Sequence, residues 1–178
     1  MITTTAIMSG CFGPPVDLSF FDAGPSMEEL IDRKPRRGLH PYLRSTNGRY
    51  HCSALRINNN RFTTTRMLPA LCSQFLEHPE ALAWLDLSCN LLRETPHELV
   101  LLPGLRLLYL HGNRLSELKP LLNVLATLPD LFGLTLHGNP LPEYRDEVLT
   151  HLPRIRALDF VNVTNTDRHR AAKALAKQ

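Results

Sequence analysis

Two histidines, His111 and His137, each open the triplet His-Gly-Asn, at 111–113 and 137–139. On adjacent strands their imidazoles would stand about 5 Å apart, which is close enough to begin a metal site. A third ligand is missing, because Ser88 and Val161 hold the corresponding positions on either side. Zinc needs about four protein ligands when structural and about three when catalytic, so no metal is expected. Asp86 and Asp159 could act as a paired acid and base, but Tyr109 and Thr135 fall between them and keep them too far apart to couple. The sequence contains no glycine-rich phosphate loop, GxSxG elbow or Cys/His nucleophile arrangement. The chain therefore reads as non-enzymatic, without a cofactor or a small-molecule substrate.

What positions these residues is a repeat. The pattern LxxLxLxxNxL occurs without departure at Leu82-Leu85-Leu87-Asn90-Leu92, Leu105-Leu108-Leu110-Asn113-Leu115 and Leu131-Leu134-Leu136-Asn139-Leu141. Degenerate copies stand before it, Cys52-Leu55-Ile57-Asn60-Phe62, and after it, Ile155-Leu158-Phe160 with Val163 in place of asparagine. Successive asparagines are 30, 23 and 26 residues apart, spacings that bracket the leucine-rich repeat. In each copy the LxL pair points both apolar side chains inward from a short strand, and the x positions face solvent. The asparagine follows where the chain turns away, so its amide can satisfy backbone groups that the turn leaves orphaned. Asn60, Asn90, Asn113 and Asn139 form this ladder. Between strands the apolar spacing becomes helical, at Leu68, Leu71, Cys72, Phe75, Leu76 and again at Leu118, Leu121, Leu122, Leu125, Leu128. The stretch from Arg93 to Pro103 is shorter, carries Pro96 and Pro103, and predicts only a brief helical or 3₁₀ segment. The fold class is an α/β solenoid, an arc of about five short parallel strands on the concave face with helices behind.

The register aligns the outward positions into columns: Ala54, Trp84, Leu107, Gly133, Ala157; then Arg56, Asp86, Tyr109, Thr135, Asp159; then Asn58, Ser88, His111, His137, Val161. Aromatic and apolar side chains at the middle of a concave face are where binding energy concentrates. The expected partner-binding set is Arg56, Trp84, Asp86, Leu107, Tyr109, His111, Thr135, His137 and Asp159, with Trp84, Leu107 and Tyr109 as its anchor.

Residues 1 to 50 carry Pro14, Pro15, Pro25, Pro35 and Pro41 among sparse, aperiodic hydrophobics, a composition that cannot fold alone. They read as an extended N-terminal arm with one short helix starting at the capping box Ser26-Met27-Glu28-Glu29, and with Leu18, Phe20 and Phe21 as anchors. The arm either seals the first repeat or serves a neighbouring protein. Residues 51–163 form the repeat domain and 164–178 a C-terminal cap helix.

Across 178 residues, 43% hydrophobic content is enough for a single core with a tail. Met1 to Gly10 has no basic n-region, and the apolar run Leu99 to Leu110 is interrupted by Pro103, Gly104 and Arg106, so neither a signal peptide nor a membrane span is expected. Cys11, Cys52, Cys72 and Cys89 lack CxxC spacing and suit reduced thiols in the cytoplasm. A net charge of +3 is too mild to imply nucleic acid or membrane. It is unevenly spread, with clusters at Arg33, Lys34, Arg36, Arg37 and at Arg168, Arg170, Lys173, Lys177.

Particular words go beyond the repeat: Pro14-Pro15-Val16-Asp17-Leu18-Ser19-Phe20, Leu76-Glu77-His78-Pro79-Glu80, Leu82-Ala83-Trp84-Leu85-Asp86-Leu87-Ser88, and a cap from Tyr144-Arg145 through Leu158-Asp159-Phe160 to Asp167-Arg168. Together they resemble the family of leucine-rich repeat-containing protein 51, over nearly the whole chain. The resemblance implies a non-enzymatic protein of ciliated or flagellated cells, cytoplasmic and held in the axoneme by microtubule-associated protein partners. Related solenoids also serve as regulatory subunits of cytosolic phosphatases, and another relative belongs to a ribonucleoprotein. The lack of an aromatic-basic stripe argues against direct RNA contact.

Overall fold

The structure is a computed structural model that describes residues 14–38 and 41–175. Met1 to Gly10, Cys11 and Lys177, named above, lie outside the described residues. Among the described residues, one sheet of seven strands runs in chain order: β1 (Val16–Asp17), β2 (Ala54–Arg56), β3 (Trp84–Asp86), β4 (Leu107–Tyr109), β5 (Gly133–Thr135), β6 (Ala157–Leu158) and β7 (Val161–Asn162). Pairing is parallel up to β6, and β7 turns back antiparallel. Leu55, Leu85, Leu108, Leu134 and Leu158 share one register position, and all five are buried. Burying a leucine contributes about 1.5–3 kcal/mol, so a one-residue slip would expose this row and the leucines two residues on.

Among the described residues, three α-helices and three 3₁₀ segments join the strands, α1 (Leu68–Phe75), α2 (Leu118–Leu125) and α3 (Arg145–His151), with 3₁₀ turns at Met27–Leu30, Pro79–Ala81 and His97–Leu101, and α4 (Asn165–Leu175) follows the last strand. The apolar side of α1, Leu68, Leu71, Cys72 and Phe75, is buried against the core, and so are Leu118, Leu121, Leu122 and Leu125 of α2. Burial pushes the Cys72 thiol up to about 12, because a thiolate there would be stripped of water.

The asparagine ladder holds the turns. Asn113 Nδ2 donates to Leu110 O at 2.9 Å and to Leu87 O of the preceding coil at 3.0 Å, while its Oδ1 accepts from Leu92 N at 3.1 Å. Asn60 and Asn90 are held in the same way, and Asn139, at the open end of the ladder, is only partly buried. Just before each of these asparagines the backbone is left-handed, with φ of 54° at Asn59, 53° at Cys89, 67° at Gly112 and 71° at Gly138.

The N-terminal arm is a further coil of the solenoid. Val16 pairs with Leu55 and Asp17 with Arg56, Leu18 N donates to Arg56 O, and Phe20 N donates to Asn58 O. Phe20 therefore takes the place of Asn59 and shares its left-handed conformation, φ 59°. That conformation turns its ring outward, to 59% exposure. The anchor set expected from sequence is corrected accordingly. Leu18 is buried and Phe21 packs partly against the core, but Phe20 does not, and Val16, Ala23, Met27 and Leu30 fasten the arm instead. Ser26 caps the 3₁₀ turn by accepting from Glu28 N, whereas Glu29 reaches Gly24 N rather than closing the box on Ser26.

At the other end the LxL pattern breaks. Phe160, expected as the second inward residue of the last copy, sits in the tight β6–β7 turn with φ 63° and faces outward. Beyond it, Thr164 and Asp167 cap α4 reciprocally: Asp167 Oδ2 accepts from Thr164 N at 2.9 Å, and Thr164 Oγ1 accepts from Asp167 N at 3.1 Å. Arg145 Nη2, 3.0 Å from Asp167, holds that carboxyl well below the usual range together with the Thr164 hydrogen bonds.

Candidate protein-binding face

The first two outward columns assemble on one face in the expected register from β2 to β5, with Trp84 beside Leu107, Asp86 beside Tyr109 and Leu107 beside Gly133. Val161, expected to end the third column, stands instead on antiparallel β7 opposite Leu158, because the chain reverses at Asp159 and Phe160. Their exposure differs from the expectation. Trp84 is 8% exposed, Leu107 5% and Asp86 6%, and Thr135 is fully buried. Neighbouring strands stand about 4.8 Å apart, so large side chains in adjacent columns cover one another. Leu107 lies where a side chain on Gly133 would stand, and the Tyr109 ring meets Trp84 edge-on at 5.8 Å. Trp84 Nε1 is buried without a hydrogen-bond partner among the described residues. Trp84 and Leu107 are thus floor rather than contact surface.

Polar groups on the N-terminal half are tied to one another. Arg56 Nη1 lies 3.3 Å from Asp17 Oδ2, and its Nε lies 4.0 Å from Asp86 Oδ2. Asp86 Oδ1 accepts from Ser88 N at 3.0 Å and Ser88 Oγ at 2.6 Å, and Asp17 Oδ1 likewise accepts from both groups of Ser19. Asp17 and Ser19 escaped the sequence reading of this face. The signal was present, because Val16-Asp17-Leu18-Ser19 repeats the order apolar-Asp-Leu-Ser of Leu85-Asp86-Leu87-Ser88.

The C-terminal half is an aromatic shelf. The His111 and His137 rings stack at 4.7 Å and 8°. The Phe160 ring packs edge-on against Tyr109, His111 and His137, with centroids 5.4, 5.6 and 5.8 Å away. Phe160 is 63% exposed, and Val161 beside it is also exposed. His111 Nδ1 lies 2.8 Å from Thr135 Oγ1. Burial, and then the neighbouring His137, hold the His111 imidazole below its ordinary pKa. Asp159, expected to face solvent or a partner, is instead an internal bracket. It accepts from Leu136 N at 2.6 Å, His137 N at 3.0 Å and Tyr144 Oη at 2.6 Å, and lies 3.1 Å from His137 Nδ1. Its partial burial would raise its pKa, but these hydrogen bonds outweigh that and hold the carboxylate below its ordinary value. The Tyr144 hydroxyl is pushed up in return by burial and by that carboxylate.

This geometry offers an exposed aromatic surface of the kind that binds a partner. Among the described residues no three His, Cys, Asp or Glu side chains are grouped to hold a metal ion, and Asp86 and Asp159 serve separate networks on β3 and after β6. Among the described residues, no helix is long and apolar enough to cross a membrane.

Comparison with known proteins gives the same fold. The sequence profile described as "Leucine rich repeat" matches residues 53–115. Leucine-rich repeat-containing protein 51 of Homo sapiens is 44% identical over 157 residues, covering 87% of this chain and 81% of that protein. Its Rattus norvegicus counterpart is 44% identical over 161 residues, covering 89% and 83%. The crystal structure of the Drosophila melanogaster SNF/U2A' complex includes a chain that superposes with a TM-score of 0.57 at 24% identity, covering 74% of this chain and 78% of that one. At that identity the likeness concerns the fold alone.

Proposed function

The chain belongs to the family of leucine-rich repeat-containing protein 51, and on that premise we propose that it is a non-enzymatic structural scaffold of the ciliary or flagellar axoneme, held there by microtubule-associated protein partners. Leucine-rich repeats build protein-interaction surfaces, and the observation that carries the proposal is the shelf on the concave face. Phe160 is an exposed aromatic held in a left-handed turn and fixed by three rings. Such a residue presents apolar area to a partner at small entropic cost. The contact set is Tyr109, His111, His137 and Phe160, with Arg56 at the opposite side, while Trp84, Asp86, Leu107, Thr135 and Asp159 support them from below.

The test is salt extraction and sedimentation of axonemes from a flagellated cell expressing the tagged chain or its Phe160→Ala variant. Wild type sediments with the axoneme and the variant is released. Retention of both, or stoichiometric co-purification with a phosphatase catalytic chain instead of axonemal proteins, would overturn the reading, the latter in favour of a phosphatase regulatory subunit.

A further inference from the structure

The two basic clusters have different fates. In the C-terminal cap, Arg168 donates to Ile155 O at 2.6 Å and Pro153 O at 2.8 Å, and Arg170 Nε stands 2.7 Å from Asp146 Oδ1. These cations fasten α4 to the rest of the fold.

Near the N-terminus the cluster is less fully neutralised: Arg44 Nη2 donates to the Tyr50 hydroxyl at 2.6 Å, and the Arg49 charge helps to hold the nearby Glu77 carboxyl below its ordinary value, after the hydrogen bonds from Asn47 and Ser45. The segment after the arm's 3₁₀ turn and the loop leading into β2 enclose, against the end of α1, a cavity of about 790 Å³. Arg33, Lys34, Arg37, Arg44 and Arg49 line it, and Asp32 is the single carboxylate among its lining residues. None of the five cations pairs with a carboxylate among the described residues. All five are exposed. Five like charges around one cavity repel, and the resulting field favours an anion.

The chemistry of the lining narrows the ligand. Four of the five cations are guanidinium groups; the Arg44 fork is turned to Tyr50 Oη and Gly48 O, and the planar forks of Arg33, Arg37 and Arg49 can bind carboxylates through two hydrogen bonds. They come from two chain segments and surround a volume far larger than one small ion occupies. Aromatic faces that could stack nucleic-acid bases are already used. The Tyr50 ring has the Arg44 guanidinium at 4.4 Å, Phe75 stacked at 6.5 Å and Tyr42 edge-on at 4.8 Å. Stacking on open aromatic rings is the usual means of holding single strands. We propose that this cavity is a second docking site, independent of the concave shelf, for an Asp/Glu-rich segment of a partner protein.

The probe is a fluorescein-labelled oligoglutamate peptide titrated into the full chain and followed by fluorescence anisotropy at low and physiological salt. Saturable binding that weakens with salt is expected, reduced at least about tenfold by Lys34→Glu with Arg37→Glu. Lys173→Glu in the cap and Phe160→Ala on the shelf should leave it unchanged, which separates this site from the concave-face reading. If the reversed pair lowers the melting temperature, Lys34→Gln with Arg37→Gln is used in its place. Peptide affinity equal in wild type and the folded cavity variant would overturn the proposal. So would a single-stranded oligonucleotide that binds more tightly than the peptide and loses its affinity in the same variant, since the site would then be one for nucleic acid.

Discussion

The imidazoles of His111 and His137 lie face to face at 4.7 Å, and only one of them has its side chain bracketed by a carboxylate, Asp159 at 3.1 Å from His137 Nδ1. Burial and the neighbouring ring depress the pKa of His111. A histidine whose folded-state pKa is lowered takes up its proton more readily in the unfolded chain. Its contribution to stability is therefore complete above the unfolded value of about 6.5 and is lost as pH falls below it. Melting temperature should drop between about pH 7.5 and about pH 5.5, and His111→Gln should flatten that drop. An unchanged pH profile in the variant would show that His111 does not carry it.

Asn113→Leu should cost about 1–3 kcal/mol, because Leu92 N loses its partner in a buried turn while Leu87 O and Leu110 O each lose one of two asparagine donors, keeping Asn90 and Asn139 respectively. Asn139→Leu should cost less, since the site is only partly buried and water can replace the amide. Urea titration of both variants measures the difference, and equal losses would contradict it.

Trp84→Ala and Phe160→Ala should separate stability from binding. Trp84 is floor, so removing it should cost about 3–5 kcal/mol and lower the melting temperature sharply. Phe160 is mostly exposed, so its loss should change stability by less than about 1 kcal/mol. Its loss should nevertheless weaken partner binding by about 2 kcal/mol or more, roughly 30-fold. A Trp84→Ala protein as stable as wild type would mean that the floor is not packed as described.

Gly24 stands at φ 153°, and a Cβ there would meet Arg61 O at 2.5 Å and Arg61 C at 2.6 Å. Backbone cannot yield as a side chain can, so Gly24→Ala should cost about 1–3 kcal/mol and loosen the arm. Trypsin should then cut sooner after Arg33, Arg36 and Arg37, which are exposed and lie beyond the docked turn. Unaltered cleavage kinetics would show that the arm's docking does not depend on this close approach.

Read by itself, the sequence determined the repeat, the strand register, the inward leucines and the asparagine ladder, because these depend on spacings within about 11 residues that recur along the chain. Asn60, Asn90, Asn113 and Asn139 could be named from pattern alone. Only the tertiary structure decided which outward residues remain reachable. Alternation assigns a face to Trp84, Leu107 and Asp86, but their exposure depends on how closely adjacent coils stack and on the curvature of the sheet, which bring together side chains distant in sequence. It also decided the fate of the two ends. Phe20 and Phe160 look like core residues by type, yet each occupies a left-handed turn that points its ring outward. The backbone reverses there because the neighbouring coil, through the hydrogen bonds of Asn58 O to Phe20 N and of Asp159 to Leu136 and His137, dictates where the chain must turn.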